Sequence, residues 1–427
     1  MSTQNLTLSN DLLLSTHSDS TSALAIADNI YLSKDVSNAY MIRTSEGDIL
    51  INAGTYLGKE RNKKAFDSID KAPADYRYII LTQHLSDHIG GTEAFVNTNT
   101  KIIANHRFAR NSKKRASVQA LVDQRAGKLW KPVFGDVSKL NGYGAISPDI
   151  EVENKYSFKL GNLAVDVHAL LGDPTEDALL VHLPEENTVF CGNFFGYSWM
   201  SIQDLCPIQG YRVCSTQDFI ESLRFIASLE PETLITSHGE PITGKLKIKN
   251  CLSNLEEAMQ SVHDQTVEGM NAGIDLHTLM EEVSIPTSLN VDQLYGKVSW
   301  NVRSIWNEYI GWFDFESTTE LYSKPQKSIS SDLVELAGIE PLVERAELYL
   351  QRDKPLEAIH LMEIVLANSP LNLEGLTVMR DAHQLLFSKS NEQNVNETLW
   401  LHAQICNLNE RISHAKHWQS QLKNKQP

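Results

Sequence analysis

The chain has 427 residues, more than one ordinary hydrophobic core accommodates, so its length predicts two domains. Its composition, 41% hydrophobic and 22% charged, is typical of a soluble globular protein. A net charge of −16 argues against nucleic acid or an anionic membrane as the partner, and no apolar run approaches the ~20 residues of a membrane-spanning helix.

The N-terminal segment, residues 1–22, is mostly polar and rich in Ser and Thr. Because it lacks the basic start and apolar core of a signal peptide, we expect a flexible tail. The five cysteines of the chain are odd in number and include no Cys-x-x-Cys pair. This pattern argues against a disulfide framework or a thiolate zinc site, and it predicts a reducing compartment, the cytoplasm.

From residue 23 to residue 244 the sequence alternates short apolar runs with turn signals. A helix is predicted over residues 218–229, where apolar residues recur at helical spacing. Strands are predicted at residues 30–32, 39–42, 49–51, 78–81, 101–104, 158–160, 163–169, 178–183, 188–191 and 233–235. Strands and helices in this order indicate an α/β domain in which helices cover the sheet.

Strand patterns nearly disappear after Lys245, and helices are predicted over residues 250–271, 288–313, 341–368 and 371–387. The predicted domains are therefore an α/β domain at residues 23–247 and a helical domain at residues 248–427. Within the second, residues 341–387 resemble one tetratricopeptide-like pair of antiparallel helices. A single pair cannot form a solenoid, which favours a packing or dimerisation surface, with a peptide-binding groove as the alternative.

A basic segment contrasts with the acidic chain. Against one acid, Asp123, it contains nine basic residues: Lys101, Arg107, Arg110, Lys113, Lys114, Arg115, Arg125, Lys128 and Lys131. Such a segment can steer an anionic substrate towards a site. Runs of charge more often belong to a solvated helix face, so that interpretation is favoured over substrate steering, and both stay open.

The most informative stretch is residues 78–95, where a buried strand ends and a short loop leads to a Gly-Gly pair. It resembles the Thr-His-x-His-x-Asp-His motif of the metallo-β-lactamase superfamily, which implies an αββα sandwich with metal ligands after the strand. In an ungapped alignment Asp87 and His88 match the motif, whereas Gln83 and Leu85 replace its first two histidines. His84 falls at the variable position between them and is expected to point outward.

The resemblance extends to the alkyl sulfatase branch of that superfamily, through residues 171–180, 183–186, 189–196 and 236–241. It implies metal ligands at His238 and, displaced by one residue, at Asp173. It also implies that Asn193 replaces an acid that bridges two metals, and that Asn52 replaces a buttressing aspartate. Residues 263–273 and 295–313 resemble the dimerisation domain of the same branch, which implies a homodimer through the helical domain.

Two further positions concern the substrate. Alkyl sulfatases hold the sulfate with an Asn and an Arg, and the alignment, which needs a short insertion here, places Asp204 and Gln209 at those positions. An acid that faces a sulfate would oppose its binding by Coulomb repulsion, so sulfatase activity itself is not expected.

The resulting site has two predicted parts. The predicted metal ligands are Asp87, His88, His238 and Asp173, with Asp87 also the catalytic residue, and the predicted substrate pocket contains Asn193, Asp204, Gln209 and His84. This set predicts one divalent metal, zinc or iron, and no second metal. A metal-free site, whose residues hydrogen-bond each other, is the alternative.

The favoured function is a divergent metallo-hydrolase that cleaves an ester- or amide-like bond of a small, anionic or amphipathic molecule. The alternatives are a metal-free binding or partner protein and an enzyme of another reaction type, since a fold resemblance alone does not choose among them.

Overall fold

The computed structural model describes residues 22–69, 74–134, 143–196 and 198–423. The tail predicted at residues 1–22 therefore lies outside the described residues, apart from Ser22. The chain divides into two compact units, one that ends at Tyr309 and one that begins at Ile310. The domain boundary at residues 247/248, which follows the change from strands to helices, stays a prediction.

The first unit contains two sheets. The first sheet consists of β1 (Leu24–Ala25), β2 (Ile30–Ser33), β3 (Ala39–Thr44), β4 (Gly47–Ile51), β5 (Tyr76–Ile80), β6 (Lys101–Asn105) and β7 (Ile150–Val152), in that spatial order. Neighbours from β1 to β4 pair antiparallel, and those from β4 to β7 pair parallel. The carboxyl ends of β4, β5 and β6 therefore lie at one edge.

The second sheet consists of β8 (Lys155–Leu160), β9 (Leu163–Ala169), β10 (Leu179–Leu183), β11 (Thr188–Phe190), β12 (Thr233–Ile235) and β13 (Ile242–Thr243). Its spatial order is β13-β12-β11-β10-β9-β8, and only β11 and β12 pair parallel among these described strands. The short strands β1, β7 and β13 were not predicted, since two or three residues give too little alternation to recognise.

The helices of this unit are α1 (Lys59–Asp67), α2 (Ser86–Ile89), α3 (Phe108–Ala116), α4 (Gln119–Phe134), α5 (Thr216–Ser228), α6 (Lys245–Asn271), α7 (Leu276–Glu282) and α8 (Val298–Ile310). Adjacent residues of a strand face opposite sides of a sheet, so Ile80 packs between the two sheets while Ile79 packs on the helical side. Phe66 and Phe108 cover the first sheet, and Phe219 belongs to the core outside the second. These layers confirm the predicted αββα sandwich.

The second unit contains α9 (Ser330–Ala337), α10 (Ile339–Gln351), α11 (Pro355–Asn368), α12 (Leu373–Ser390) and α13 (Val395–Lys423). The prediction of one continuous helix over residues 341–368 is wrong. Asp353 adopts a left-handed φ of +62° and Pro355 starts the next helix, so the chain turns between α10 and α11. Among the described helices none is both long and apolar enough to cross a membrane.

Candidate metal centre

Two loops bring three of the four predicted ligands together. Asp87 and His88 lie in α2, which follows β5, and His238 follows β12 of the other sheet. Each of the three offers one ligand atom, and these atoms lie within 4.8 Å of one another. Because the ligands come from strand ends of both sheets, the αββα fold itself sets their spacing.

Hydrogen bonds orient these ligands. Ser37, just after β2, donates from Oγ to Asp87 Oδ2 over 2.6 Å. His238 Nδ1 lies 2.7 Å from the Val36 carbonyl oxygen. Since a carbonyl only accepts, Nδ1 carries the proton, and Nε2 keeps its lone pair. His88 Nδ1 lies 3.3 Å from Asp87 Oδ2, and the His88 and His238 rings meet edge to face.

The electrostatics suit metal binding. Burial alone would raise the pKa of Asp87, but His88, His238 and the Ser37 hydroxyl together lower it below its ordinary value. Burial, followed by the neighbouring His88, lowers the pKa of His238 to about 4. At neutral pH the group therefore offers a carboxylate and a neutral imidazole, the forms that zinc and iron bind. The donors present fit one divalent ion.

Neutral amides surround the ligands. Gln83 Nε2 lies 3.3 Å from His88 Nε2, and Asn193 Oδ1 lies 3.0 Å from His238 Nε2. These amides stand where the resemblance implies an imidazole and a bridging carboxylate. Gln83 Nε2 can donate to His88 Nε2, but Asn193 Oδ1 only accepts and faces the lone pair of His238 Nε2. Neither amide adds charge to the group.

Asn52 fastens the two ligand-bearing loops to each other. Its Oδ1 accepts from the Thr82 backbone N–H over 3.0 Å, and its Nδ2 donates to Ser237 Oγ over 3.2 Å. Its backbone has a left-handed φ of +55°, which Asn adopts more readily than most residues. Neither hydrogen bond requires a charged side chain, so the Asn52 amide can join the two loops at the position where the resemblance implies an aspartate.

Asp173, the fourth predicted ligand, is not part of the three-residue group in the described structure. Its Oδ1 accepts from the Thr175 backbone N–H over 2.8 Å and from the Thr175 hydroxyl. Burial raises its pKa to about 6. The carboxylate is therefore engaged in its own turn, and the structure gives it no place among the ligands.

His84 does not point outward, as the ungapped alignment had implied. It is 7% exposed, and its Nδ1 lies 2.8 Å from Oδ2 of Asp177, which is fully buried. The alignment fixed the sequence position of His84 but not the path of the loop, and the loop turns the ring inward. Asp177 was missed, although it lies in the segment that suggested Asp173.

A cavity of about 740 Å³ opens at the ligands. Of the predicted pocket residues, Asn193, Gln209 and His84 line it. Asp204 does not belong to the described lining, and it is only 1% exposed. Its Oδ1 accepts from the Cys206 backbone N–H over 3.3 Å, so the carboxylate is turned into the protein. The placement of Asp204 in the pocket is therefore wrong.

Ser37 is a second residue that sequence reasoning missed. It follows the end of β2 in a short polar loop, and its only signal is that position. Nothing in the spacing of the chain relates it to Asp87, fifty residues later. Its role depends on the first sheet bringing the ends of β2 and β5 to the same edge.

A second group of possible ligands lies on the second sheet. Asp166 and His168 on β9 and His182 on β10 place ligand atoms within 4.8 Å of one another. However, the Lys155 ammonium donates to Asp166 over 2.8 Å, so a cation would have to displace an existing one. We assign no metal to this group.

The family comparisons agree with this architecture. Residues 32–238 match the family model described as the metallo-beta-lactamase superfamily, and residues 276–404 match the model described as alkyl sulfatase dimerisation. The chain thus combines a metallo-β-lactamase superfamily domain with an alkyl sulfatase dimerisation domain, the combination that the sequence resemblance predicted. Several positions of the metal motif are substituted in it.

Curated relatives are alkylsulfatases. A linear primary-alkylsulfatase of a Pseudomonas species is 24% identical over 73% of this chain and 63% of its own length. The alkyl/aryl-sulfatase BDS1 of Saccharomyces cerevisiae is 22% identical over 84% of this chain and 60% of its own length. This chain therefore spans about three fifths of these relatives.

Among solved structures, the stereoselective inverting sec-alkylsulfatase Pisa1 from a Pseudomonas species superimposes with a TM-score of 0.78. The match covers 92% of this chain and 65% of the other at 15% identity. At that identity the likeness shows a shared fold.

Proposed function

We propose that this chain is a metal-dependent hydrolase that acts through one divalent ion, zinc or iron, held by Asp87, His88 and His238. The observation behind the proposal is that these donors, from two loops far apart in the chain, lie within 4.8 Å of one another beside a cavity. The local structure of neither loop requires a histidine. Membership of a superfamily that includes hydrolases, and relatives named as sulfatases, support the same reaction class.

An ion bound there would lower the pKa of water and stabilise negative charge that develops on the substrate. The protein's own groups would position the reactants. Asp87, ionised at neutral pH and held by the Ser37 hydroxyl, would accept a hydrogen bond from the attacking water. Gln203 lines the cavity, and its buried Oε1 has no hydrogen-bond partner among the described residues, so this oxygen would accept from a donor on a bound substrate.

The proposed substrate is a small anionic or amphipathic molecule with an ester- or amide-like bond. The sequence argument against a sulfate ester relied on Asp204, whose carboxylate does not line the described cavity. Direct repulsion from that residue is therefore no reason to exclude sulfate. Sulfate esters belong among the substrates to be tested, beside carboxylate esters.

A metal-free binding protein is the second candidate, and the amides favour it. Gln83 Nε2 already lies within hydrogen-bonding distance of His88 Nε2, and both amides are neutral, so the site needs no cation to balance them. In that case His88 and His238 would be structural, and their loss would reduce stability without changing metal content.

The proposed assembly is a homodimer through the helical domain, consistent with the dimerisation family matched by residues 276–404. Trp312, just after α8, is 74% exposed in the single chain. Large exposed aromatic side chains are common anchors of protein interfaces. A cytoplasmic location stays a prediction.

The test combines metal analysis with hydrolysis of p-nitrophenyl acetate, octanoate and sulfate, with and without added zinc or iron. His88→Ala and His238→Ala should lose metal and activity together, because two remaining donors hold an ion poorly. His360→Ala is the control, since that imidazole lies on α11 with a side chain 78% exposed. If His88→Ala keeps full activity and an unchanged metal content, the hydrolase proposal fails.

A further inference from the structure

Except for Lys101 in β6 and Arg107 just before α3, the basic segment of the sequence lies in the helices α3 and α4, which form one wall of the cavity. Among its basic side chains that the structure describes, only Lys113 and Arg115 line the cavity. Arg125 instead donates to the Ile208 carbonyl oxygen over 2.8 Å. The segment is thus mostly a solvated face, with two cations turned towards the site.

Arg115 is held by an aromatic ring. Its guanidinium carbon lies 4.9 Å from the ring centroid of Tyr211, which also lines the cavity. Stacking uses the flat face of the guanidinium and leaves the N–H groups at its edge free to donate. Arg115 is half-buried, and neither it nor Lys113 forms an ion pair with an acid among the described residues.

Arg115 also lies within electrostatic reach of the metal centre. Burial and, to a smaller extent, the charge of Asp87 raise the pKa of Tyr143, Arg115 lowers it, and the net result is about 12. Tyr143, a lining residue, thus senses both charges, which indicates that Arg115 and Asp87 flank the same part of the cavity.

The same wall has an apolar part. The helices α3 and α4 supply six of its apolar lining residues: Phe108, Ala109, Ala116, Val122, Ala126 and Trp130. The cavity of about 740 Å³ is within the range of sites for small organic ligands. One wall therefore offers a cation beside an apolar surface, which complements a molecule with an anionic group and an apolar body.

We propose that Arg115, supported by Tyr211 and assisted by Lys113, binds the anionic group of an amphipathic ligand whose apolar body lies along α4. The resemblance places an arginine of the alkyl sulfatases at the position of Gln209. In this chain Arg115, on α3, would supply that positive charge instead. Arg115 would be a specificity-determining residue, since it selects anionic over neutral ligands. The inference concerns the cavity of the proposed hydrolase, but its test does not require hydrolysis.

The test measures binding of 1-octanesulfonate and of 1-octanol to the full chain by calorimetry. The sulfonate carries a charge and no ester bond, and octanol has the same apolar body without charge. Arg115→Met should weaken sulfonate binding about tenfold or more, and leave octanol binding unchanged. It should also flatten the dependence of sulfonate binding on salt. Arg110→Met, on the same helix but outside the lining, should match the wild type.

If Arg115→Met weakens the binding of octanesulfonate and octanol equally, Arg115 shapes the cavity and the proposal is wrong. Unchanged binding of octanesulfonate would also overturn it. Should that variant fail to fold, Arg115→Lys keeps the charge but loses the fork of donors, and it should weaken sulfonate binding by a smaller factor. Arg115-dependent sulfonate binding without hydrolysis of any ester would refute the hydrolase and uphold this inference. If an ester is hydrolysed but sulfonate binding does not depend on Arg115, the hydrolase proposal stands and this inference is refuted.

Discussion

Replacement of His84 by alanine should destabilise the first unit, because it strips a buried carboxylate of its donor. Asp177 is 0% exposed; its Oδ2 lies 2.8 Å from His84 Nδ1, and its Oδ1 has no partner among the described residues. Leaving a buried acceptor without its donor costs about 1–3 kcal/mol, with charged acceptors at the upper end or above. We therefore expect a loss of about 3 kcal/mol in the free energy of unfolding.

Urea unfolding followed by tryptophan fluorescence measures this loss as a shift of midpoint at constant slope. The double variant His84→Ala with Asp177→Asn should lose less than His84→Ala alone, because a neutral amide costs less to bury than an unpaired carboxylate. His106→Ala is the control, since the one hydrogen bond of its half-buried ring among the described residues joins it to a carbonyl oxygen, at 3.4 Å. A loss below about 1 kcal/mol, or equal losses in the single and double variants, would refute the reasoning.

Three further predictions concern pH, metal content and assembly. Folding raises the pKa of Asp173 to about 6 from 3.8, so the wild type loses stability as pH rises through that window. The free energy of unfolding of Asp173→Asn should therefore rise by about 3 kcal/mol relative to that of the wild type as pH increases from about 4 to about 7. Urea unfolding midpoints measured in EDTA would show this difference. Elemental analysis should find about one zinc or iron per chain or fewer; two tightly held equivalents would contradict this. Light scattering at micromolar concentration should give twice the chain mass of 47.9 kDa, and a monomer mass would rule out the homodimer.

The sequence predicted the features of the fold and site that depend on strand order. Because His88 and His238 each follow a predicted strand, their convergence required only the αββα arrangement. The direction of a side chain within a loop is a different problem. His84 turns inward to meet Asp177, ninety-three residues later, and no local pattern encodes that contact.

Two other predictions were wrong, the placement of Asp204 in the cavity and the single helix over residues 341–368. An insertion in the alignment caused the first, and a turn at one residue caused the second. Asp204 was placed in the cavity by an alignment that needed an insertion there, and adjacent residues in extended chain face opposite sides. Gln203, its neighbour, lines the cavity instead. The break between α10 and α11 depends on one residue, Asp353, in the left-handed conformation. The helical spacing of apolar residues continues across this turn, so the spacing alone does not reveal the break.

Charge limits how many ions the centre can hold. Asp87 is the only carboxylate in the group of described ligands that includes His88 and His238. One divalent ion leaves that group with a net charge of about +1, and a second would raise it to about +3 in a largely buried site, which is costly. The position where the resemblance implies a bridging acid is occupied by Asn193, which is neutral.

Asn193→Asp should therefore tighten binding of a single zinc ion without creating a second site, because Gln83 and Leu85 still supply no imidazole. The added carboxylate would stand beside His238, whose Nε2 lies 3.0 Å from Asn193 Oδ1. Titration against a chromogenic zinc chelator measures both affinity and stoichiometry. Gln209→Glu adds the same charge elsewhere in the cavity lining and should have a smaller effect. Unchanged affinity in Asn193→Asp, or an equal gain in Gln209→Glu, would mean that Asn193 does not adjoin the metal, because only a direct ligand position distinguishes the two carboxylates.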